Sequence, residues 1–187
     1  MSANWRTIEA DDPMLAKLTL PQLLQPDWVA GGTLAELPLE QLIERRIQAL
    51  VLDVDRTLLP RRGTELPPAM ERWLRQAQQR MPLHLFSNNP SRSRIGSVAE
   101  QLGVSYTTNA GKPRRGPLRQ VLDQLALPPT RVALVGDRVF TDVLAGNRLG
   151  LYTVLVKPVN PEGLPCRHDH WQQLEVKLAR LTGATLV

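Results

Sequence analysis

The sequence of 187 residues has a single cysteine, Cys166, and few aromatic residues, which make up 4% of the chain. One cysteine excludes an internal disulfide and a zinc site built on several cysteines. No apolar run approaches the ~18 residues of a membrane-spanning helix, and the first residues lack the basic-then-apolar pattern of a secretion signal. These absences favour a cytoplasmic globular protein with one domain and a short extension.

Lysine is also scarce, with four residues against nineteen arginines, although the net charge is +5. A bias toward arginine on a solvated surface would explain this composition. The alternative is an anionic partner, such as phosphate groups, nucleic acid or an acidic membrane. Because aromatics are few and no RNA-binding signature is present, nucleic acid is the least favoured of these partners.

Short apolar runs alternate with helix-like segments from residue 49 onward. Strands are predicted at 49–53, 83–87, 104–108, 131–137 and 151–156, and amphipathic helices are predicted between them. This alternation predicts an α/β fold with a doubly wound, mainly parallel five-stranded sheet and helices on both faces. Residues 49–187 would form this domain.

Residues 1–48 differ in character, because prolines and the pair Gly31-Gly32 break them into pieces. We predict an N-terminal extension packed on the core, with a helix at 38–48 leading into the first strand. Residues 14–29 are apolar enough to dock on the domain or, alternatively, to touch a membrane or a partner.

Polar residues follow each predicted strand, where the carboxyl ends of a parallel sheet form a ligand-binding crevice. Asp53 and Asp55 end the first strand, and two carboxylates so close repel each other unless a positive group lies between them. Hard oxygen ligands without cysteine or histidine favour Mg²⁺. The set that we expect to converge comprises Asp53, Asp55, Thr57, Ser87, Asn88, Asn89, Lys112, Asp137 and Asp142.

An aspartate in this set could act as a nucleophile toward phosphorus. With an ordinary pKa near ~3.9 it is ionised at neutral pH and can attack phosphorus without a base to activate it. Magnesium, lysine and hydroxyl or amide donors would then stabilise the charge on the phosphoryl oxygens. The pattern therefore indicates phosphoryl transfer through an aspartyl-phosphate.

Four motifs resemble those of the haloacid-dehalogenase-like (HAD) phosphatases: "DVDRT" at 53–57, Ser87, Lys112 in "GKP", and "GDRVFTD" at 136–142. The segments "FSNN" and "TDVLAGNRLGLYT" are similar to the YqeG branch, which includes the mitochondrial and plastid phosphatidylglycerophosphate phosphatases. Arg56 departs from that branch, where a small polar residue such as asparagine is usual.

The resemblance implies a role for each motif residue. Asp53 would be the nucleophile and Asp55 the general acid and base. Ser87 and Lys112 would bind phosphate, with Thr57 and Asn88 as further donors. The Mg²⁺ ligands would be Asp53, the main-chain carbonyl of Asp55, and Asp137, with Asp142 in support.

The spacing between the motifs leaves no room for an inserted cap domain, because one helix and its loops fill most of each interval. A capless site is open, as in family members that act on large substrates. Arginines lie in or after all four motifs: Arg56, Arg61, Arg62, Arg92, Arg94, Arg114, Arg115 and Arg138. They would form a rim around the mouth that suits an anionic lipid head group at a membrane surface.

These features favour a Mg²⁺-dependent phosphomonoesterase acting on phosphatidylglycerophosphate, located in the cytoplasm or peripherally at the membrane. The alternatives are a phosphatase of a phosphoprotein, nucleotide or sugar phosphate, and a binding module for RNA or ribosomes that has no turnover.

Overall fold

The computed structural model describes residues 18–61, 63–166 and 169–186. It contains one parallel sheet in the order β1-β6-β5-β2-β3-β4. The strands are β1 Trp28–Val29, β2 Ala49–Leu52, β3 Leu83–Phe86, β4 Ser105–Thr107, β5 Val132–Gly136 and β6 Tyr152–Leu155. The predicted α/β class and parallel sheet are confirmed, but the sheet has six strands rather than five.

The additional strand, β1, comes from the N-terminal extension. It lies beside β6, with Trp28 opposite Val154, and the N–H of Ala30 donates to the carbonyl of Leu155 at 2.8 Å. A strand of two residues has no side-chain periodicity to reveal it, so only its partner β6 defines it.

The α-helices lie before, between and after the strands: α1 Leu20–Leu24, α2 Leu39–Glu44, α3 Pro68–Gln78, α4 Arg92–Leu102, α5 Arg115–Leu125, α6 Leu144–Asn147 and α7 His170–Leu181. The helix predicted at 38–48 ends early, since Arg46 adopts a left-handed conformation with φ of 62°. In the part of the chain that the structure describes, no helix is long and apolar enough to cross a membrane.

The core has two layers, one on each face of the sheet. Alternate residues of β2 point to opposite faces, so Leu50 and Leu52 pack with α3 and α4, whereas Ala49 and Val51 pack with α5 and α6. The layers explain why the strands are apolar throughout. A third cluster, around Leu24, joins α1 and α7 to the end of the sheet.

The connections place an open crevice at the carboxyl ends of the strands. The chain runs from β2 outward through β3 and β4, then crosses to β5 on the other side of β2, which makes a topological switch point. Within the described residues, the segment 53–67 forms only turns and a bridge between Asp55 and Leu59, with no lid domain.

Candidate active site

Three buried carboxylates meet at the switch point. Asp53 follows β2 and Asp137 follows β5, and these strands are paired up to Leu52 and Val135. Asp142 reaches the same place from the π-helical turn Val139–Val143. One oxygen from each of the three carboxylates lies within 4.8 Å of the other two. The parallel sheet thus brings together residues from two distant motifs.

Lys112 supplies the positive charge inside this cluster. Its Nζ lies 2.5 Å from Asp53 Oδ1 and 2.7 Å from Asp142 Oδ1, and it donates to the carbonyl of Phe86 at 3.0 Å. Burial alone would lower the pKa of Lys112, but the charges of Asp142 and Asp53 outweigh burial and raise it. The ammonium therefore remains charged at neutral pH.

Asp53 is held from both sides. Thr57 Oγ1 donates to Asp53 Oδ2 at 2.9 Å, while Lys112 binds Oδ1. Burial raises the pKa of Asp53 to about 6, with Lys112 opposing the shift and the charge of Asp142 adding to it. Its carboxylate is thus fixed in orientation and costly to ionise, unless a further positive charge is bound.

Asp137 indicates where such a charge would bind. Its buried Oδ2 accepts no hydrogen bond within the described structure, and Arg56 Nε is 3.9 Å away. Burial raises the pKa of Asp137, and the charges of Asp53 and Asp142 raise it further. Asp142 Oδ1 is close to Lys112 but lacks the alignment of a hydrogen bond. Three carboxylates facing one lysine, with an oxygen left without a partner, fit a hard divalent cation.

Gly136 allows Asp142 to reach the cluster. A Cβ at this position would lie 2.3 Å from the carboxyl carbon of Asp142. Any residue other than glycine would therefore clash with Asp142 unless one of the two moved. Asp142 Oδ2 also accepts from the N–H of Arg138 at 3.1 Å, which folds the carboxylate back over its own loop. The glycine of "GDRVFTD" is therefore required by a close approach.

Asp55 points away from the three-carboxylate cluster, toward β3 and α4. Its oxygens accept from Ser87 Oγ at 3.1 Å and from Arg94 Nε at 3.1 Å, and its side chain is one-third exposed. Arg94 also donates to the carbonyls of Pro60 and Gly63. The pairing of Arg94 with Asp55 was not predicted, because a contact over 39 positions has no local signal in the sequence.

Asn88 has a different contact from the one expected. Its amide brackets the backbone of Lys112, accepting from the N–H at 2.7 Å and donating to the carbonyl at 3.2 Å. Ser87 Oγ accepts from the N–H of Asn89 at 3.0 Å while it donates to Asp55. Asn88 thus fixes the loop that carries the lysine, whereas the Ser87 hydroxyl links Asp55 to the start of the loop after β3.

The predicted arginine rim divides into two groups. Arg61, Arg114 and Arg115 are exposed, and none of them forms an ion pair within the described residues. Two others form ion pairs: Arg56 pairs with Asp169 and lies 3.9 Å from Asp137 Oδ2, and Arg138 Nε donates to Glu175 at 2.7 Å. Arg62 lies outside the described residues.

Helix α7 braces the loop that carries Asp137. Gln172 Nε2 donates to the carbonyl of Asp137 at 2.7 Å and to that of Val156 at 2.8 Å. Buried Glu175 accepts from the N–H of Val139 at 2.9 Å and pairs with Arg138. This contribution was not predicted from the sequence, because the helix follows the last motif and has no motif of its own.

Comparison with known proteins identifies a family and several relatives. Residues 109–158 match the family described as HAD-hydrolase-like. The Bacillus subtilis (strain 168) protein named "Probable phosphatase YqeG" is 31% identical over 121 residues, covering 64% of this chain and 70% of that protein. The chain belongs to the HAD-like hydrolase family. It is a HAD phosphatase, a phosphoric monoester hydrolase, of the branch that includes YqeG.

A second relative and a solved structure extend the match. The mitochondrial phosphatidylglycerophosphatase GEP4 of Saccharomyces cerevisiae is 27% identical over 177 residues, covering 87% of this chain and 91% of that protein. A crystal structure from Vibrio cholerae, assigned as a 3-deoxy-D-manno-octulosonate 8-phosphate phosphatase, superposes with a TM-score of 0.50. It is 13% identical and covers 79% of this chain and 92% of its own. This likeness establishes the HAD fold.

Proposed function

We propose that this HAD phosphatase is a Mg²⁺-dependent phosphomonoesterase that converts phosphatidylglycerophosphate to phosphatidylglycerol. The surroundings of Asp53 support this reaction class. Its buried carboxylate is held by Thr57 and Lys112, and it lies beside Asp137, whose Oδ2 has no hydrogen-bond partner in the described structure. Asp53, Asp137 and Asp142 would hold the cation, together with the main-chain carbonyl of Asp55. The cation would supply positive charge to the phosphoryl oxygens.

The residues of the chain divide the reaction into two steps. An oxygen of Asp53 attacks phosphorus, the bond from phosphorus to the alcohol oxygen breaks, and Asp55 gives its proton to the leaving alcohol. Water then loses a proton to Asp55 and attacks the same phosphorus, which releases phosphate and restores the carboxylate of Asp53. Lys112 and Ser87 would stabilise the phosphoryl oxygens.

Arg94 and Ser87 would orient Asp55 for this exchange. Their hydrogen bonds fix both oxygens of Asp55, whose side chain is partly exposed and so accessible to a leaving group and to water. Asp53, in contrast, is buried and cannot exchange protons with solvent as readily. The two carboxylates thus occupy environments that suit a nucleophile and an acid–base residue, respectively.

The lipid substrate is supported by the open crevice and by the relatives. No lid encloses the site in the described chain, and Arg61, Arg114 and Arg115 leave exposed positive charge after two of the motifs. A phosphatidylglycerophosphatase is similar to nearly the whole chain. A phosphoprotein, nucleotide or sugar phosphate remains the competing substrate class, whereas membership among phosphatases disfavours a binding module without turnover.

A phosphate-release panel tests both parts of the proposal. It compares phosphatidylglycerophosphate in mixed micelles with a phosphopeptide, a nucleotide, a sugar phosphate and p-nitrophenyl phosphate, each with Mg²⁺ and with chelator. We expect the lipid to be preferred and the chelator to abolish turnover. Preference for another substrate would overturn the lipid assignment, and full activity with chelator would overturn the metal.

The nucleophile is tested by Asp53→Asn, which retains shape and removes the attacking charge. Activity should fall by at least ~10³-fold, as expected for loss of a catalytic group. Asp123→Asn is the matched control, because Asp123 is exposed on α5. Circular dichroism checks the fold. Substantial turnover by folded Asp53→Asn would exclude the covalent mechanism.

A further inference from the structure

Helix α7 carries an exposed apolar stripe on the side that faces away from the core. Trp171 is 63% exposed and Leu181 is 83% exposed, and Leu174 and Leu178 are also exposed. These positions are spaced by three, four and three residues, so all four side chains lie along one face of the helix. They make up most of the large apolar side chains that are exposed in the described chain.

The opposite side of α7 fixes this orientation. Glu175 and Ala179 are buried, and Ala179 packs in the cluster that includes Leu24 and Val139. The side chain of Asp169 caps the helix by accepting from the N–H of Gln172 at 2.7 Å. The stripe therefore points outward and cannot turn inward without loss of these contacts.

The charges beside the stripe are of one sign. Lys177 and Arg180 are exposed on α7 next to the apolar side chains, and Arg180 also donates to the carbonyl of Leu186. The only acidic residue within the helix is Glu175, which is buried against Arg138. The outer side is thus apolar and positive, which is the pattern of helices that lie in the interface of an anionic bilayer.

We propose that this surface, the α7 outer face of Trp171, Leu174, Lys177, Leu178, Arg180 and Leu181, docks the enzyme on an anionic lipid membrane. Two copies of the chain would fit less well, because a two-fold contact would bring like charges together. The role as a docking site for catalysis rests on the proposed lipid substrate, whereas membrane binding itself does not.

The same helix connects the docking surface to the active site. Asp169, two residues before Trp171, pairs with Arg56, and Gln172 binds the carbonyl of Asp137. An α7 seated on the lipid would therefore place the crevice at a fixed position relative to the bilayer.

Vesicle flotation tests the surface directly. Vesicles of phosphatidylcholine alone are compared with vesicles of phosphatidylcholine and phosphatidylglycerol in equal parts. Replacing Trp171, Leu174 and Leu178 together by Gln should weaken binding to the anionic vesicles by at least about tenfold, since apolar area is lost. The control is Tyr106→Ser, which removes an exposed aromatic from β4 at the other edge of the sheet.

Tryptophan fluorescence locates the contact. Lipids brominated in their acyl chains should quench Trp171, and Trp171→Phe should remove most of the quenching but retain binding. Lys177→Gln should weaken binding to the anionic vesicles but not to those of phosphatidylcholine alone. This loss of binding should be larger at low salt, where charges are screened less. Unchanged quenching in Trp171→Phe would place the inserted tryptophan elsewhere and overturn the proposal.

Other results would also overturn it. Undiminished flotation of the triple variant would exclude the α7 outer face as the docking site. A dimer that the triple variant converts to a monomer, without vesicle binding by either protein, would assign the face to a second copy. A large loss of thermal stability in the triple variant would show that another part of the chain covers it.

Hydrolysis of a short-chain, water-soluble phosphatidylglycerophosphate separates this proposal from the proposed function. The triple variant should retain wild-type activity on this substrate and lose it on vesicles. If the wild-type protein does not hydrolyse the soluble lipid, the substrate assignment fails, and flotation still decides whether α7 binds membranes.

Discussion

Asp53 must satisfy two opposing demands. The proposed attack on phosphorus needs an ionised carboxylate, but burial disfavours the charge and raises its pKa to about 6. Thr57 and Lys112 provide two hydrogen bonds that compensate part of this cost. The compensation is incomplete, because the charges of Asp137 and Asp142 repel that of Asp53 and make its ionisation more costly.

The remaining cost of ionising Asp53 predicts that, in metal-free protein, the difference in folding stability between Asp53→Asn and the wild type depends on pH. Because the pKa of Asp53 is raised on folding from 3.8 to about 6, its contribution to stability is complete below the unfolded value and is lost as the pH rises through 6. The variant should therefore differ little from the wild type at about pH 4 and be more stable at about pH 8, by on the order of 3 kcal/mol.

Chemical denaturation in the presence of a chelator measures this difference. Added Mg²⁺ should stabilise the wild type more than the variant, because the ion binds the ionised cluster in the folded state. A variant that is no more stable than the wild type at the higher pH would show that Lys112 alone neutralises the carboxylates.

Among the elements, α7 supports the site although it follows the last motif in the sequence. It holds the Asp137 loop through Gln172 and Glu175, and it reaches Arg56 through its capping residue Asp169. These contacts orient groups that would bind the cation but do not themselves touch it. Supporting contacts of this kind tune metal affinity in proteins.

Glu175→Ala tests the brace. It leaves the buried N–H of Val139 without its carboxylate partner and frees Arg138, so the loop that carries Asp137 should become less ordered. We expect about a tenfold loss of Mg²⁺ affinity, measured by calorimetry as well as by the Mg²⁺ dependence of activity.

Glu175→Gln should restore part of the affinity, because its amide oxygen can still accept from Val139. Glu100→Ala is the matched control, since Glu100 is exposed on α4. Unchanged calorimetric affinity in Glu175→Ala would limit the role of α7 to stability.

The sequence predicted those features that have a local pattern. The strands were identified because a strand that is buried on both faces is apolar throughout. The site residues were identified because polar side chains follow directly after these apolar runs. The brace by Glu175, the pairing of Arg94 with Asp55 and the position of β1 were missed. Each depends on contacts between segments far apart in the chain, which no short window of sequence contains.

The arginines illustrate the same limit. The sequence placed Arg56 and Arg138 near the site but could not show that Asp169 and Glu175 neutralise them. The conformation of Arg56 is also notable, because its φ of 72° is one that asparagine adopts more readily than most residues. The small polar residue that is usual in the resembling branch would fit this backbone.

For the whole molecule, the open crevice and the net positive charge act together. Arg61, Arg114 and Arg115 contribute exposed charge, and each arginine near an acidic bilayer is worth about 1 kcal/mol. Replacing all three by Gln should weaken binding to anionic vesicles by about 10- to 100-fold. Hydrolysis of p-nitrophenyl phosphate should remain largely intact.

The comparison requires a variant with the same change in charge elsewhere. Arg72, Arg75 and Arg80, on and just after α3, are exposed and lie outside the four motifs. Their replacement by Gln should affect vesicle binding much less. If the variant at Arg61, Arg114 and Arg115 instead lost vesicle binding and p-nitrophenyl phosphate hydrolysis to the same extent, these arginines would belong to the phosphate site or to the fold.

The two-residue strand β1 has a consequence for solubility. It covers the edge of β6, where Trp28 and Val29 are paired with Val154 and Leu155. A chain that lacked residues 18–30 would leave the N–H and C=O groups of β6 without these partners, beside apolar side chains that face the core. Such an edge is a template for pairing with another molecule. The truncated protein should therefore self-associate through β6, and light scattering that finds it monomeric at high concentration would exclude this protective role for β1.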